Sequence, residues 1–189
     1  MSDQTTRSAA KLAALIAIPI ALLAGLGTFL LLRDAFTPPP PAAAPTETPA
    51  PVPTEPVPMA APALGEWEEI VCRAVLARLP TEVNGLPQRS VTAGPEQNAA
   101  YGEPPVTVAC GVPAVEYEPT EELLRLGPVC WQARQLDGGS RWTTLDREVP
   151  VQVWVPDAYG SPSQQVVDVS NTVALTVRSG GDPPSGCTR

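Results

Sequence analysis

Glu66 to Leu79 reads EWEEIVCRAVLARL, and its periodicity decides the fold class of the chain. Projected at about 100° per residue, Val71, Cys72, Val75, Leu76 and Leu79 form one apolar arc. Trp67, Ile70 and Ala74 flank it, and Glu66, Glu69 and Arg73 group opposite. Glutamates in the first turn suit the helix dipole, and Pro80 stops the helix. The arc must be buried against something, and the downstream sequence supplies it.

Val106 to Val112 alternates, with Val106, Val108, Cys110 and Val112 on one face. Val129 to Leu136 points Val129, Trp131 and Ala133 inward, and Asp137-Gly138-Gly139-Ser140 turns the chain back in a hairpin from Arg141. Val149, Val151, Val153 and Val155 alternate again, with Pro150 demanding a break or an edge. Asn84-Gly85 marks a turn and Ser90 to Thr92 a short strand. Ala93 to Pro105 (AGPEQNAAYGEPP) reads as a loop. Pro119 to Leu126 reads as a short helix or turn with Thr120 as N-cap. Ser163 to Val177 fits neither period well, so helix and strand both stay open. The fold class is therefore α+β: a helix packed on a small antiparallel sheet.

Cys72 lies on the helix arc and Cys110 on the apolar strand face, so these two pair. Cys130 alternates with Gln132 and Arg134 and faces the other way, where Cys187 of the tail can reach it. Clustered Cys/His spacing is absent, which favours disulfides over a metal site. Neither a cofactor nor a metal is expected.

Upstream, Thr37 to Gly65 carries eleven prolines. Such a segment leans to extended polyproline II and spans up to roughly 90 Å. It reads as a semi-rigid spacer. Before it, Leu12 to Leu32 (LAALIAIPIALLAGLGTFLLL) contains no charged residue. A run of about 20 apolar residues matches a bilayer crossed by one helix. It exceeds the apolar core of a cleavable signal peptide, and no cysteine before Cys72 could carry a lipid, so an uncleaved signal-anchor is expected. Arg7 and Lys11 precede the run, placing the N-terminus in the cytoplasm and the rest outside the plasma membrane. The expected organisation is thus a tail over 1–11, a transmembrane helix over 12–32 and a linker over 33–65. An exported domain over 66–178 and a flexible tail over 179–189 follow.

The formal net charge is −8, and sixteen acidic residues against nine arginines from Leu64 onward place it on the exported domain. That acidity disfavours nucleic acid. Histidine is absent, which removes His-dependent triads and the commonest general base and metal ligand. Candidate binding residues are Glu96, Gln97, Asn98 and Tyr101, because the Gly94 to Pro105 loop would present donors, acceptors and one ring. The expected function is a non-enzymatic, membrane-tethered module that binds an envelope protein or cell-wall component. The alternative is a carboxylate enzyme acting on envelope polysaccharide. It would use Asp146 and Glu148, about 7 Å apart if both lie on one face of a strand, with Glu96 and Glu103 nearby.

Three phrases carry a resemblance: VTAGPEQNAAYGEPPVTVACGVP (Val91 to Pro113), GPVCW (Gly127 to Trp131) and WTTLDREVPVQV (Trp142 to Val153). The chain resembles the actinobacterial domain-of-unknown-function family 3515 over roughly Glu66 to Val177. The resemblance implies membrane association in high-GC Gram-positive bacteria and carries over no catalytic residue. The long Pro-rich linker departs from the family pattern.

Overall fold

The computed structural model describes residues 23, 26–30, 54–118, 121, 123–180 and 184–187. The chain divides into two units, Met1–Ala50 and Pro51–Arg189. In the first unit, residues 23 and 26–30 are helical, with Leu23, Leu26, Phe29 and Leu30 exposed. Among the described residues no helix is long and apolar enough to cross a membrane. The expected span Leu12 to Leu32 lies for the most part outside them.

In the second unit, α1 (Glu66–Leu76) precedes eight strands and α2 (Pro162–Thr176) follows them. The strands are β1 (Glu82–Val83), β2 (Leu86–Arg89), β3 (Asn98–Tyr101), β4 (Val106–Cys110), β5 (Leu123–Leu126), β6 (Val129–Leu136), β7 (Gly139–Thr144) and β8 (Val151–Pro156). They form one sheet in the order β1-β2-β3-β4-β8-β7-β6-β5. Every neighbouring pair is antiparallel. The architecture is α+β, made of two consecutive four-stranded meanders. Their last strands, β4 and β8, pair at the centre, with Val108 opposite Val153.

The valine alternation fixes which face is buried, because successive side chains of a strand point to opposite sides. Val106, Val108 and Cys110 of β4 and Val151, Val153 and Val155 of β8 are buried beneath both helices. Val71, Cys72 and Val75 of α1 close over them, as the sequence arc requires. Cys72 and Cys110 are joined, with Cα atoms 5.4 Å apart. Cys130 and Cys187 are joined on the opposite face, with Cα atoms 5.7 Å apart. The second bond pins the tail expected to be loose, and Arg125 Nη1 adds a hydrogen bond to the Cys187 carbonyl.

The short strand expected at Ser90 to Thr92 falls at Leu86–Arg89, with only an isolated bridge at Val91, and four other segments differ from their sequence reading. Asn98–Tyr101, placed in a loop, is strand β3 with all four residues buried. Its small Ala99 and Ala100 fit the packed sheet, a signal too short to show as alternation. Leu123–Leu126, expected as helix or turn, is edge strand β5, paired with β6 through the turn at Gly127. Ladder hydrogen bonds and packing of Leu124 and Leu126 on the core override its local helical bias. The ambiguous 163–177 segment is helix α2, whose buried face mixes Val166, Val169 and Val173 with Gln165, Ser170 and Thr172. Polar residues there erase the apolar period. Ser170 is satisfied: its hydroxyl accepts from Trp131 Nε1 and donates to the Leu126 carbonyl.

The fourth difference is the end of the Pro-rich stretch. Its residues from 54 on are seated on the sheet rather than free. Val57 is 4% exposed and forms a parallel bridge with Val91. Polyproline leaves its carbonyls unpaired, so neighbouring donors can take them.

Replacing both Cys72 and Cys110 by serine removes a cross-link closing 38 residues of sequence. The chain-entropy model puts the loss at about 4 kcal/mol. A urea titration checks this through a fall in the unfolding midpoint. A non-reducing peptide map should return Cys72–Cys110 and Cys130–Cys187 and no other pairing.

Candidate functional site

The face of the sheet away from the helices is laced by extended segments. The first is a strap, residues 54–62, crossing β2 to β4. Val57 N–H donates to the Ser90 carbonyl, and Thr92 N–H donates to the Val57 carbonyl. Asn98 Nδ2 donates to the carbonyls of Ala60 (2.9 Å) and Ala93 (3.0 Å), and Gln97 Nε2 donates to that of Pro62 (3.1 Å). Arg89 Nη2 holds the Glu55 carbonyl at 2.9 Å, and Nη1 pairs with Glu103 and the Gly102 carbonyl. The Arg89 side chain is only 5% exposed. Gly94 lets the strap come close: its φ is 57°, and a Cβ there would stand 2.7 Å from the Ala61 Cβ.

The second segment comprises residues 111–118 together with Glu121. Gln132 Nε2 and Arg134 Nη2 both donate to the Glu116 carbonyl, and both side chains also bond Glu121. The Arg134 guanidinium holds the Glu121 carboxyl below the usual carboxylate range.

Between these two segments lies a groove of about 350 Å³. The strap residues Pro58, Met59 and Pro62 form one wall and Gly111 to Pro113 the other. Thr107, Ala109 and Gln152 make the floor. Gln152 is half-buried, and among the described residues no hydrogen bond engages its side-chain amide.

The four candidate binding residues are not gathered on an open surface. Glu96 is exposed on the turn before β3. Gln97 and Asn98 are each 4% exposed and are spent on the strap. Tyr101 is fully buried on the helix side of β3, where its hydroxyl donates to the Pro80 carbonyl at 3.0 Å. The loop thus binds a chain, and that chain is the protein's own. Sequence reasoning missed Arg89, Gln132 and Gln152, which show no motif. Their only signal is their strand phase, opposite the valines.

The carboxylates of the enzymatic alternative do not converge. Asp146 and Glu148 lie in the connection between β7 and β8, not on a strand. Asp146 is 6% exposed, accepts the Cys130 N–H at 3.0 Å and faces Arg147 Nε at 3.3 Å. Arg147 in turn holds the Val177 and Pro128 carbonyls, so this pair joins the end of α2 to the β5–β6 turn. Glu148 is exposed and Glu103 is paired with Arg89. Among the described residues no cluster of three or more Cys, Asp or Glu could hold a metal.

These features define a disulfide-braced α+β domain whose sheet face away from the helices holds the chain's own extended segments through side-chain donors. A family model described as "Protein of unknown function (DUF3515)" matches residues 16–180, and the chain belongs to that family. No curated protein and no solved structure matches the chain.

Two outcomes test this geometry. Asn98→Ala removes two hydrogen bonds worth about 1 kcal/mol each. Hydrogen exchange at the Thr92 amide, bonded to the strap, should accelerate roughly five- to thirtyfold. Burial pushes the Tyr101 phenol up from 10 to about 12. Because the folded value is raised, the neutral phenol's contribution is complete below pH 10 and is lost as pH climbs toward 12. Tyr101→Phe should therefore flatten the loss of stability across that window. Urea titrations at pH 9, 10.5 and 11.5 measure it, with the residual slope assigned in part to Tyr159, which burial also raises.

Proposed function

We propose that the protein is a membrane-tethered extracytoplasmic module that binds an envelope polypeptide or cell-wall component, with no chemical step of its own. One observation carries this reading. The sheet face opposite the helices concentrates donors from Arg89, Gln97, Asn98, Gln132 and Arg134 onto backbone carbonyls of extended chain. Holding extended segments by their carbonyls is what a peptide-binding sheet surface does. The engagement of Asp146, Arg147 and Glu103 in structural pairs argues in the same direction.

The tether rests on Leu12 to Leu32, an uncharged run long enough to cross a bilayer. Leu23, Leu26, Phe29 and Leu30 are exposed within it, as side chains facing lipid would be. Arg7 and Lys11 orient it with the N-terminus inside. Two disulfides favour an oxidising compartment for the domain. On this reading the stretch around Val57 belongs to the domain, because its backbone bonds Ser90 and Thr92.

Protease treatment of intact cells, with one tag at each end, tests location and orientation together. The C-terminal tag should be removed and the N-terminal tag protected, and alkaline carbonate should leave the chain in the membrane pellet. Release by carbonate, or protection of the C-terminal tag, would overturn the reading.

A further inference from the structure

The face opposite the helices carries one continuous cross-strand row. Asn98 of β3 stands opposite Ala109 of β4, and Ala109 opposite Gln152 of β8. Gln152 is opposite Thr143 of β7, and Thr143 opposite Gln132 of β6. Directly opposed residues share a face, so three side-chain amides stand in one line across the sheet. Neighbouring strands are about 4.8 Å apart, which spaces the three amides at about 10 Å.

The outer two amides do the same thing. Asn98 donates to the Ala60 carbonyl of the strap, and Gln132 donates to the Glu116 carbonyl of the second segment. The middle amide, Gln152, opens into the groove between those two segments. Its neighbours on the floor are the Thr107 hydroxyl and the small Ala109 side chain, and the walls present the rings of Pro58, Pro62 and Pro113. We propose that this lane is a binding site for a third extended chain, a proline- and alanine-rich peptide supplied by a partner polypeptide. Gln152 would be its carbonyl-reading residue.

The strap on the page argues for this occupant. A proline-rich chain brings unpaired carbonyls, needs few donors of its own and loses little conformational entropy on ordering. Its rings stack on the proline walls, and the alanine between them clears Ala109. A groove of about 350 Å³ takes a few residues of such a chain and no folded element. The proposal rests on the binding reading above and names its partner class. The protease and carbonate experiment decides the tether independently.

The test uses the full chain in detergent micelles. The probe is a fluorescent synthetic peptide, PVPTEPVPMAAPA, the sequence of residues 51–63. Anisotropy titration should show saturable binding that a Gly/Ser peptide of equal length lacks. Gln152→Glu keeps the shape but replaces the donor by an acceptor, and it should weaken binding at least five- to tenfold. Ala109→Leu fills the floor and should weaken it without touching a hydrogen bond, whereas Glu69→Ala, exposed on α1, should leave it unchanged. Near-ultraviolet circular dichroism and a disulfide map confirm that each variant folds.

Four results would overturn the proposal. One is equal binding by wild type, Gln152→Glu and Ala109→Leu. Another is no binding at millimolar peptide. A third is binding accompanied by faster exchange of the Val57 and Thr92 amides, which means the peptide has displaced the strap. The last is a Gln152-dependent affinity for chitooligosaccharides in place of the peptide, which means the lane reads sugar.

Discussion

The pairing of β4 with β8 is the constraint on which the rest of the domain depends. Each meander by itself would leave a valine-lined strand at its edge, with unpaired backbone groups and an uncovered apolar face. Joining the two edges satisfies the ladder and makes a single sheet wide enough to seat two helices. Cys110 lies on that seam, and its bond to Cys72 fixes α1 over it. The helix at the start of the domain is therefore tied to a strand far along the chain, and α2 completes the layer after β8 closes the sheet. Loops of this length are slow to close, so the cross-link most affects the unfolded chain.

With one face sealed by helices, the other is left to loops. A sheet face with Asn98, Gln152, Gln132, Arg134 and Thr143 on it does not pack against an apolar layer. It is suited to chain segments that bring carbonyls, and the two it holds do so. Arg89 and Arg147 show the same logic at the edges. Each buries a guanidinium beside one carboxylate and donates from Nη1 and Nη2 to carbonyls of distant segments, while its buried Nε has no hydrogen-bond partner. A buried cation paired and bonded in this way is costly to disturb, because removing a partner leaves an unmatched charge. Arg89 ties the strap to β2 and the end of β3, and Arg147 ties the end of α2 to the β5–β6 turn.

The elements legible in the sequence were those whose pattern is local and strong. α1 showed its apolar arc, β4 and β8 their alternating valines, and the β6–β7 hairpin its Asp137-Gly138 turn. The pairing of the cysteines followed from strand phase alone, since Cys110 and Cys130 fall on opposite faces. The illegible elements were short or mixed. β3 has four residues, two of them alanine. β5 carries a helix-like run that only its partner strand turns into a ladder. α2 buries Gln165, Ser170 and Thr172, which break its apolar period, and the partners of Ser170, Trp131 and Leu126, lie far away in sequence. Of the candidate residues, Tyr101 belongs to the core, Gln97 and Asn98 serve the strap, and Glu96 stays exposed.

By itself, the sequence determined the class of the domain, the inward faces of α1, β4, β6 and β8, the cysteine partners and the family. These follow from periodicity, residue spacing and specific phrases, which act over a few residues at a time. The tertiary structure decided the strand order, the role of the Pro-rich stretch from residue 54 on and the line of amides across the sheet. Those depend on residues brought together from far along the chain, with Asn98, Gln152 and Gln132 meeting in one row only because β4 pairs with β8. Local pattern tells a strand which side to bury. Only the packed sheet sets which side chains then stand beside one another on the side left open.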